Sequence, residues 1–411
     1  MQHLFALGSN SSGQLGIGHT SDVSVPKPAL LPDSIAASDR IISIAAGGNH
    51  TILLTSSGTV LCAGDAAPDA TGAPIVTTAY ADADADTDVK TDTILRPCRS
   101  HFLPLSLPFS PSEKATLISA TWKTTHIALG MPPTQLYSLG TGLRGELGLG
   151  PLRVCTTTPT LVPGFPPRSS PSQPPSDTAI SSNETPHIVQ LCSSMAHTVA
   201  VLSDGTAWGW GAARKGQLGP LNATSSASSP SQSVDGVVST PRRIDGLSFP
   251  VTRAACGKDF TALFGSRDMG QVVVLGVDKW GVRTKIPAKE ELAGWVDVGA
   301  GWGNVHVLHA DGRVVSWGRN DHGQLAPRDL PRAVKLAVGS EHALILSEEG
   351  EVTAWEWGEH GNCGPEGGDA GGKGQGGVIA SLKYIPKGAS ISSIGAGCAT
   401  SWVIIDIPEQ L

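Results

Sequence analysis

The chain has 411 residues, only 16% of them charged, and a formal net charge of −7 at pH 7. That balance argues against a general nucleic-acid or anionic-membrane binder, which needs a basic excess. The apolar runs are too short to span a bilayer. Fifty glycines and 30 prolines suit a chain of hairpins better than one of helices. The seven cysteines are scattered and never form C-x-x-C, which fits a reducing compartment and gives no metal or redox signature. Met1–Gly8 lacks the basic and long apolar regions of a signal peptide. A cytoplasmic protein is expected, with the nucleus open as a second location.

Taken in order, the chain begins in mid-unit. Leu4-Phe5-Ala6-Leu7-Gly8 reads as the second strand of a hairpin and Gly13-Gln14-Leu15-Gly16 as a closing loop. A fuller copy follows: Ala45-Ala46-Gly47-Gly48-Asn49-His50-Thr51, a Ser57-Gly58 turn, then Val60–Gly64. A third carries Trp122, His126, Tyr137–Gly140 and Gly145-Glu146-Leu147-Gly148. A fourth carries His197-Thr198, Asp204-Gly205, Trp210-Gly211 and Gly216-Gln217-Leu218-Gly219. The fifth is weaker, Cys256–Thr261 then Val273–Gly276.

The sixth copy, Gly299 to Leu325, is complete. It has a small-residue run, an apolar strand, an Asp311-Gly312 turn, a second strand ending in Trp317-Gly318, and Asn320-Asp321-His322-Gly323-Gln324-Leu325. Asp-Gly between apolar runs marks a tight hairpin, because glycine accepts positive φ. The seventh runs from Val338-Gly339-Ser340-Glu341-His342 to Trp357-Gly358 and Gly361-Asn362-Cys363-Gly364. Ile394–Val403 is a first half only. A unit this small exposes too much apolar surface to stand alone, so copies must stack. A chain that starts on a second half and ends on a first half predicts an all-β, seven-bladed propeller. Pairing of Leu4–Leu7 with the Ile391–Ile405 hairpin would close it and remove an exposed sheet edge.

Four inserts are expected to be flexible additions to this single domain: 65–112 (with Asp82, Asp84, Asp86 and Asp88), 166–183, 223–233 and 367–377. Their Ala/Asp, Pro/Ser or Gly composition buries little apolar area. The alternating aspartates lack the glycine and glutamate of a calcium loop. Gly140-Thr141-Gly142-Leu143-Arg144-Gly145 spells G-x-G-x-x-G, but it falls in a closing loop rather than between a strand and a helix. His50, His126, His197 and His342 are read as one repeated position, with Asn304 and Thr400 as its equivalents. Repetition points to an architectural strut, not a catalytic base. Trp210, Trp317 and Trp357 end second strands and are expected to pack between sheets.

Trp122 and Trp302 stand where other copies have glycine or a short polar residue, in a run expected near one channel rim. Lys258, Glu341, Glu359, His360 and Asn362 occupy corresponding or neighbouring loops. Each is either a solvated loop residue or an interface residue, and tryptophan is enriched at interface hot spots. These seven form the candidate partner-binding set. No catalytic, cofactor or metal motif is apparent.

The G-x-x-H-T, W-G and N-x-x-G-Q-L-G strings resemble the regulator of chromosome condensation repeat family, whose members are seven-bladed propellers. Cys256–Phe260, Gly339–His342, Trp357–Pro365 and Gly397–Trp402 resemble a narrower group, the fungal α-tubulin-suppressor, Elongator-associated propellers. That resemblance implies a non-enzymatic module in a heterodimer with a small CSL-type zinc-ribbon electron carrier. It would support diphthamide synthesis and, through Elongator, tRNA wobble-uridine modification. Neither direct nucleic-acid binding nor membrane binding is implied, and no cofactor. The alternative is a guanine-nucleotide exchange factor for a small GTPase, with an insert as the wedge.

Overall fold

The computed structural model describes residues 1–35, 38–65, 99–108, 113–167, 185–221, 236–356, 358–365 and 377–408. Most of the four inserts, the aspartates 82–88 and Trp357 lie outside these residues.

Seven antiparallel sheets follow one another round a ring. Blade 1 is Ile41–Ala46, His50–Thr55, Val60–Gly64 and Arg99–Pro104. Blade 2 is Ala115–Ala120, Thr124–Leu129, Gln135–Thr141 and Cys155–Leu161. Blade 3 is Ile188–Ser193, His197–Leu202, Ala207–Ala212 and Val237–Arg243. Blades 4 and 5 have three strands each, Arg253–Cys256, Phe260–Phe264 and Val272–Gly276, then Trp295–Ala300, Asn304–His309 and Val314–Gly318. Blade 6 is Ala333–Val338, His342–Ser347, Glu351–Glu356 and Gly377–Ser381.

Blade 7 is built from both ends of the chain. Its strand order is Val23–Pro28, Gln2–Gly8, Thr400–Asp406 and Ser390–Ala396. Gln2 pairs with Asp406 and the register runs unbroken to Gly8 with Thr400. The innermost strand of each blade touches that of the next, including blade 7 to blade 1, so the ring is shut. Leu4, Ala6, Trp402 and Ile404 of blade 7 pack with Leu53, Leu61 and Phe102 of blade 1 in one apolar cluster. Phe102 shows that the segment Arg99–Pro104, assigned above to an insert, is the outer strand of blade 1. Its side chain is fully buried beneath Gly16 of the neighbouring closing loop.

The second strand of each blade is buried along its whole length, save Asp406 at the end of blade 7's. Sheets cover it on both faces, so its sequence is a near-continuous apolar run rather than an alternating one. Trp210, Trp317 and Trp355 knit blade to blade. Their indole N–H groups donate to the carbonyls of Glu146, Val282 and Gln324 in the preceding blade's closing loop, at 2.9, 2.9 and 3.3 Å. Burying such a side chain stabilises by about 2–3 kcal/mol. In blade 6 the tryptophan at this place is Trp355, two residues before the one expected from the sequence.

Histidines strut the blades from two positions rather than one. His50, His197 and His342 lie opposite Gly64, Gly211 and Glu356, at or next to the end of the third strand. Thr124 holds that place in blade 2 and Asn304 in blade 5, and His126 and His306 sit two residues on. Two residues along a strand keeps the same face, so both placements reach the next blade. Ring nitrogens of His50, His126, His197 and His342 lie 3.3, 3.1, 3.0 and 2.9 Å from hydroxyls of Thr125, Thr198, Thr261 and Ser401. Burial pushes the His126 and His306 pKa values down to about 3, and those of His50, His197 and His342 to about 4. All five are neutral at pH 7.

Candidate functional site

Two sets of loops crowd the same end of the ring, here called the upper face. Short loops join innermost to second strands, and closing loops follow the third strands. The middle residues of the short loops are Gly48, Trp122, Met195, Lys258, Trp302, Ser340 and Cys398 in ring order. Main-chain bonds tie neighbours together. Gly48 N–H donates to Trp122 O at 3.0 Å, Trp122 N–H to Met195 O at 3.0 Å, Lys258 N–H to Trp302 O at 3.3 Å and Trp302 N–H to Ser340 O at 2.6 Å. The rim is therefore a braced collar rather than a set of loose tips.

Trp122 and Trp302 come from blades 2 and 5, three blades apart, yet their rings meet with centroids 6.1 Å apart. They close over a channel of about 390 Å³ walled by small residues such as Ala45, Ser119, Ser193 and Gly299. Both residues are partly buried. Trp122 leans over Gly48, where any Cβ would strike the indole at 2.4 Å. Lys258 Nζ stands 4.9 Å from the Trp302 ring centre, an attractive cation–π distance.

Outside this pair lies a second hollow of about 170 Å³, between blades 4 and 5. Lys258, Trp302, Lys279, Trp280, Arg319 and Glu341 line it. Arg319 is clamped: Nη1 donates to both Glu341 oxygens at 2.7 and 2.8 Å, and Nε donates to Asp321 at 2.6 Å. Burial opposes the Arg319 charge, but the Asp321 hydrogen bond and the Glu341, Asp321 and Glu356 carboxylates outweigh it and raise its pKa. Burial raises the Glu341 pKa, and Arg319 works against that rise. The held guanidinium lies 5.1 Å from the Trp280 ring centre.

The structure thus gathers Trp122, Lys258, Trp302 and Glu341 at one mouth. Glu359 and His360 are exposed on the blade 6 closing loop, where His360 Nδ1 meets Asp22 at 2.9 Å across the seam to blade 7. Asn362 is buried at the place of the repeat's glutamine, and its carbonyl accepts a 2.8 Å bond from Ser401 Oγ. In sister loops Gln14, Gln217 and Gln324 accept a main-chain N–H two residues back. The place of Asn362 is architectural.

Sequence reasoning missed Met195, Lys279, Trp280 and Arg319. The fifth unit lacks the N-x-x-G-Q-L string, so its closing loop drew no attention. The available signal was Trp280, an indole 40% exposed in a loop that elsewhere carries small or polar residues.

Three non-glycine residues among those described take positive φ: Trp280 (71°), Glu356 (95°) and Ala399 (52°). All three lie on the upper face. Glu356 stands where the other blades have Gly8, Gly64, Gly140, Gly211, Gly276 and Gly318. A Cβ placed on any of those six glycines would come within 2.2–2.4 Å of a neighbouring carbonyl oxygen. Strained residues of this kind concentrate where ligands are gripped.

Charge on this face is segregated. The loops of blades 2 to 4 expose Lys123, Arg144, Arg153, Arg214, Lys215, Lys258, Lys279, Arg283 and Lys285, against Asp259 and Asp278. Leu143, Leu152 and Val154 are exposed among them at 76%, 98% and 44%. The loops of blades 5 to 7 carry Asp321, Asp329, Glu341, Glu359 and Asp22 against Arg319 and Arg328. A rigid, apolar-centred, charged surface is built for holding another macromolecule. The two close His–Ser side-chain pairs among the described residues, His126 Nδ1 with Ser138 Oγ and His342 Nε2 with Ser401 Oγ, both at 2.9 Å, are fully enclosed.

The RCC1-like domain model matches residues 3–365 of the chain. The chain belongs to the RCC1-like domain family. A fission-yeast (Schizosaccharomyces pombe) protein, RCC1 repeat-containing protein C10F6.04, is 27% identical over 98% of this chain and 99% of its own length. The mouse (Mus musculus) secretion-regulating guanine nucleotide exchange factor is 25% identical over 83% of this chain and 65% of its own. The crystal structure of Prp20p from Saccharomyces cerevisiae shares the fold with a TM-score of 0.72 at 20% identity, over 99% of this chain and 92% of that one. Human WBSCR16 does so at 0.69 and 14% identity, over 98% of each.

Proposed function

We propose that this RCC1-like propeller is a docking module that grips an acidic protein partner on its upper face, and that the partner is a small CSL-type zinc-ribbon electron carrier. The observation that carries the docking reading is the Trp122–Trp302 pair, partly buried at a braced rim and flanked by the basic loops of blades 2 to 4. Aromatic anchors ringed by charge are how interface hot spots are built. The choice of partner rests on the sequence resemblance of Cys256–Phe260, Gly339–His342 and Gly397–Trp402 to the Elongator-associated propellers. In that reading the protein carries no cofactor and performs no chemistry. It supports diphthamide synthesis and tRNA wobble-uridine modification by presenting the carrier, from the cytoplasm or nucleus.

The test is to mix the purified chain with a zinc-ribbon protein of this type and measure binding by titration calorimetry. A one-to-one complex that weakens on Trp302→Ala supports the reading, and no complex at tens of micromolar removes it. A second reading, exchange activity on a small GTPase, is favoured by the likeness to the mouse exchange factor. Accelerated release of labelled GDP from a GTPase would establish it.

A further inference from the structure

We infer that the hollow between blades 4 and 5 is a carboxylate subsite, taking one Asp or Glu side chain from an acidic peptide segment of whatever protein docks on the upper face. The inference deepens the docking reading and rests on it only for the location of the partner.

Its walls are two indoles, Trp302 and Trp280. Each carries an ammonium group on its face, Lys258 Nζ at 4.9 Å and Lys279 Nζ at 5.0 Å from the ring centres. Neither lysine has a carboxylate within ion-pairing distance among the described residues. The third cation of the hollow, Arg319, is already saturated by Asp321 and Glu341. It acts as a prop that holds Trp280 upright. The lining carries three cations, Lys258, Lys279 and Arg319, against two carboxylates, Asp259 and Glu341. With Arg319 taken up by Glu341 and Asp321, the two lysine ammonium groups are what the hollow offers to an incoming anion.

The hollow is also set in advance. Trp280 is held at φ 71° and Glu356, which adds to the charge around Arg319, at φ 95°. Pre-ordering of this kind lowers the entropy cost of binding. Lysine is a point charge that tolerates a carboxylate in several orientations, which suits a side chain arriving on a flexible segment. A single-stranded nucleic acid also likes lysine beside tryptophan. The carboxylates of Asp321, Glu341 and Glu359 next along the rim oppose a continuous phosphate backbone, whereas an isolated carboxylate avoids them.

The experiment uses the full chain, its tryptophan fluorescence and two probes, N-acetyl-hexaglutamate and N-acetyl-hexaglutamine, with a twelve-nucleotide poly(U) as a third arm. The expected result is saturable binding of hexaglutamate that weakens with salt, and none of hexaglutamine. Lys258→Met combined with Lys279→Met should weaken it by about tenfold or more, the scale expected for losing close charge partners. Lys258→Arg with Lys279→Arg should restore it, and the thermal melt of both variants should match wild type. Absence of wild-type binding, equal binding of hexaglutamine, or unchanged affinity in the methionine pair overturns the subsite. Poly(U) that binds more tightly than hexaglutamate at 150 mM salt also overturns it, in favour of RNA. If hexaglutamate binds as described while the zinc-ribbon protein does not, the subsite stands and the choice of partner falls.

Discussion

The two halves of the upper face are built from the same loops and use charge in opposite ways. Around blades 5 to 7 three carboxylates face the protein's own groups: Asp321 and Glu341 hold Arg319, and Asp22 accepts from the Asn10 N–H while facing His360. Around blades 2 to 4 the bases look outward, and two of them, Lys258 and Lys279, rest on indole faces with no carboxylate within ion-pairing distance among the described residues. One half closes the ring and props its neighbours, and the other is left with attraction to offer. A repeat fold lets this happen because each loop sits on a framework that its own sequence barely affects.

The harshest way to break the comparison is to open the framework that both halves share. Deleting Met1–Asn10 removes the third strand of blade 7 and uncovers Trp402 and Ile404. The cooperative melt should fall by more than about 10 °C, as expected from losing several buried side chains. An unchanged melt would mean that the terminal pairing contributes nothing.

Acid attacks the frame next. The five buried histidines have folded pKa values of about 3 to 4 against 6.5 unfolded. The unfolded chain therefore binds more protons between those limits, and stability is full above about pH 6.5 and falls as pH drops toward 4. Each histidine costs about 1.4 kcal/mol per pH unit crossed. Urea midpoints measured from pH 7 to pH 4.5 should fall with a slope of several protons. A flat profile would show that the imidazoles charge freely in the folded state.

Trp302→Ala sharpens the contrast between halves. It should cost about 2 kcal/mol or more in partner affinity with no change in the melt, and a wild-type dissociation constant would remove Trp302 from the interface. Glu356→Gly probes the acidic half. Restoring glycine at φ 95° should raise the urea midpoint by about 1 kcal/mol of stability. A lower midpoint would mean that attraction to Arg319 outweighs the strain. Glu359→Ala and His360→Ala, on the exposed seam loop, should change partner affinity by less than about 0.5 kcal/mol. A larger loss would extend the docking surface across to blade 7.

Much of this was legible in the sequence, for stated reasons. Second strands covered on both sides must be apolar throughout, hairpins need Asp-Gly or Ser-Gly, and a chain that starts and ends on half-units must join them. These gave seven blades and the seam. What the residues hid was local. Trp355-Glu356-Trp357-Gly358 offers a familiar W-G pair, but the backbone uses Trp355-Glu356 instead, placing glutamate where six blades need glycine. Arg99–Pro104 reads as polar insert because an outer strand is half exposed and only Phe102 is deeply buried. His126 resembles the other struts in sequence yet sits two residues along, since strand alternation makes the two placements equivalent. At the rim, Trp122 and Trp302 stood out by size alone. Their meeting across the channel depends on the diameter of a closed ring, which no stretch of chain encodes by itself.

The most direct test of the account is hydrogen–deuterium exchange on the full chain, alone and with the zinc-ribbon protein. The account predicts slowed exchange at residues 121–123, 194–196, 257–259, 277–285 and 301–303, with the hairpins at 203–206 and 309–313 on the opposite face unchanged. Protection of those hairpins with an unaltered upper rim would contradict it.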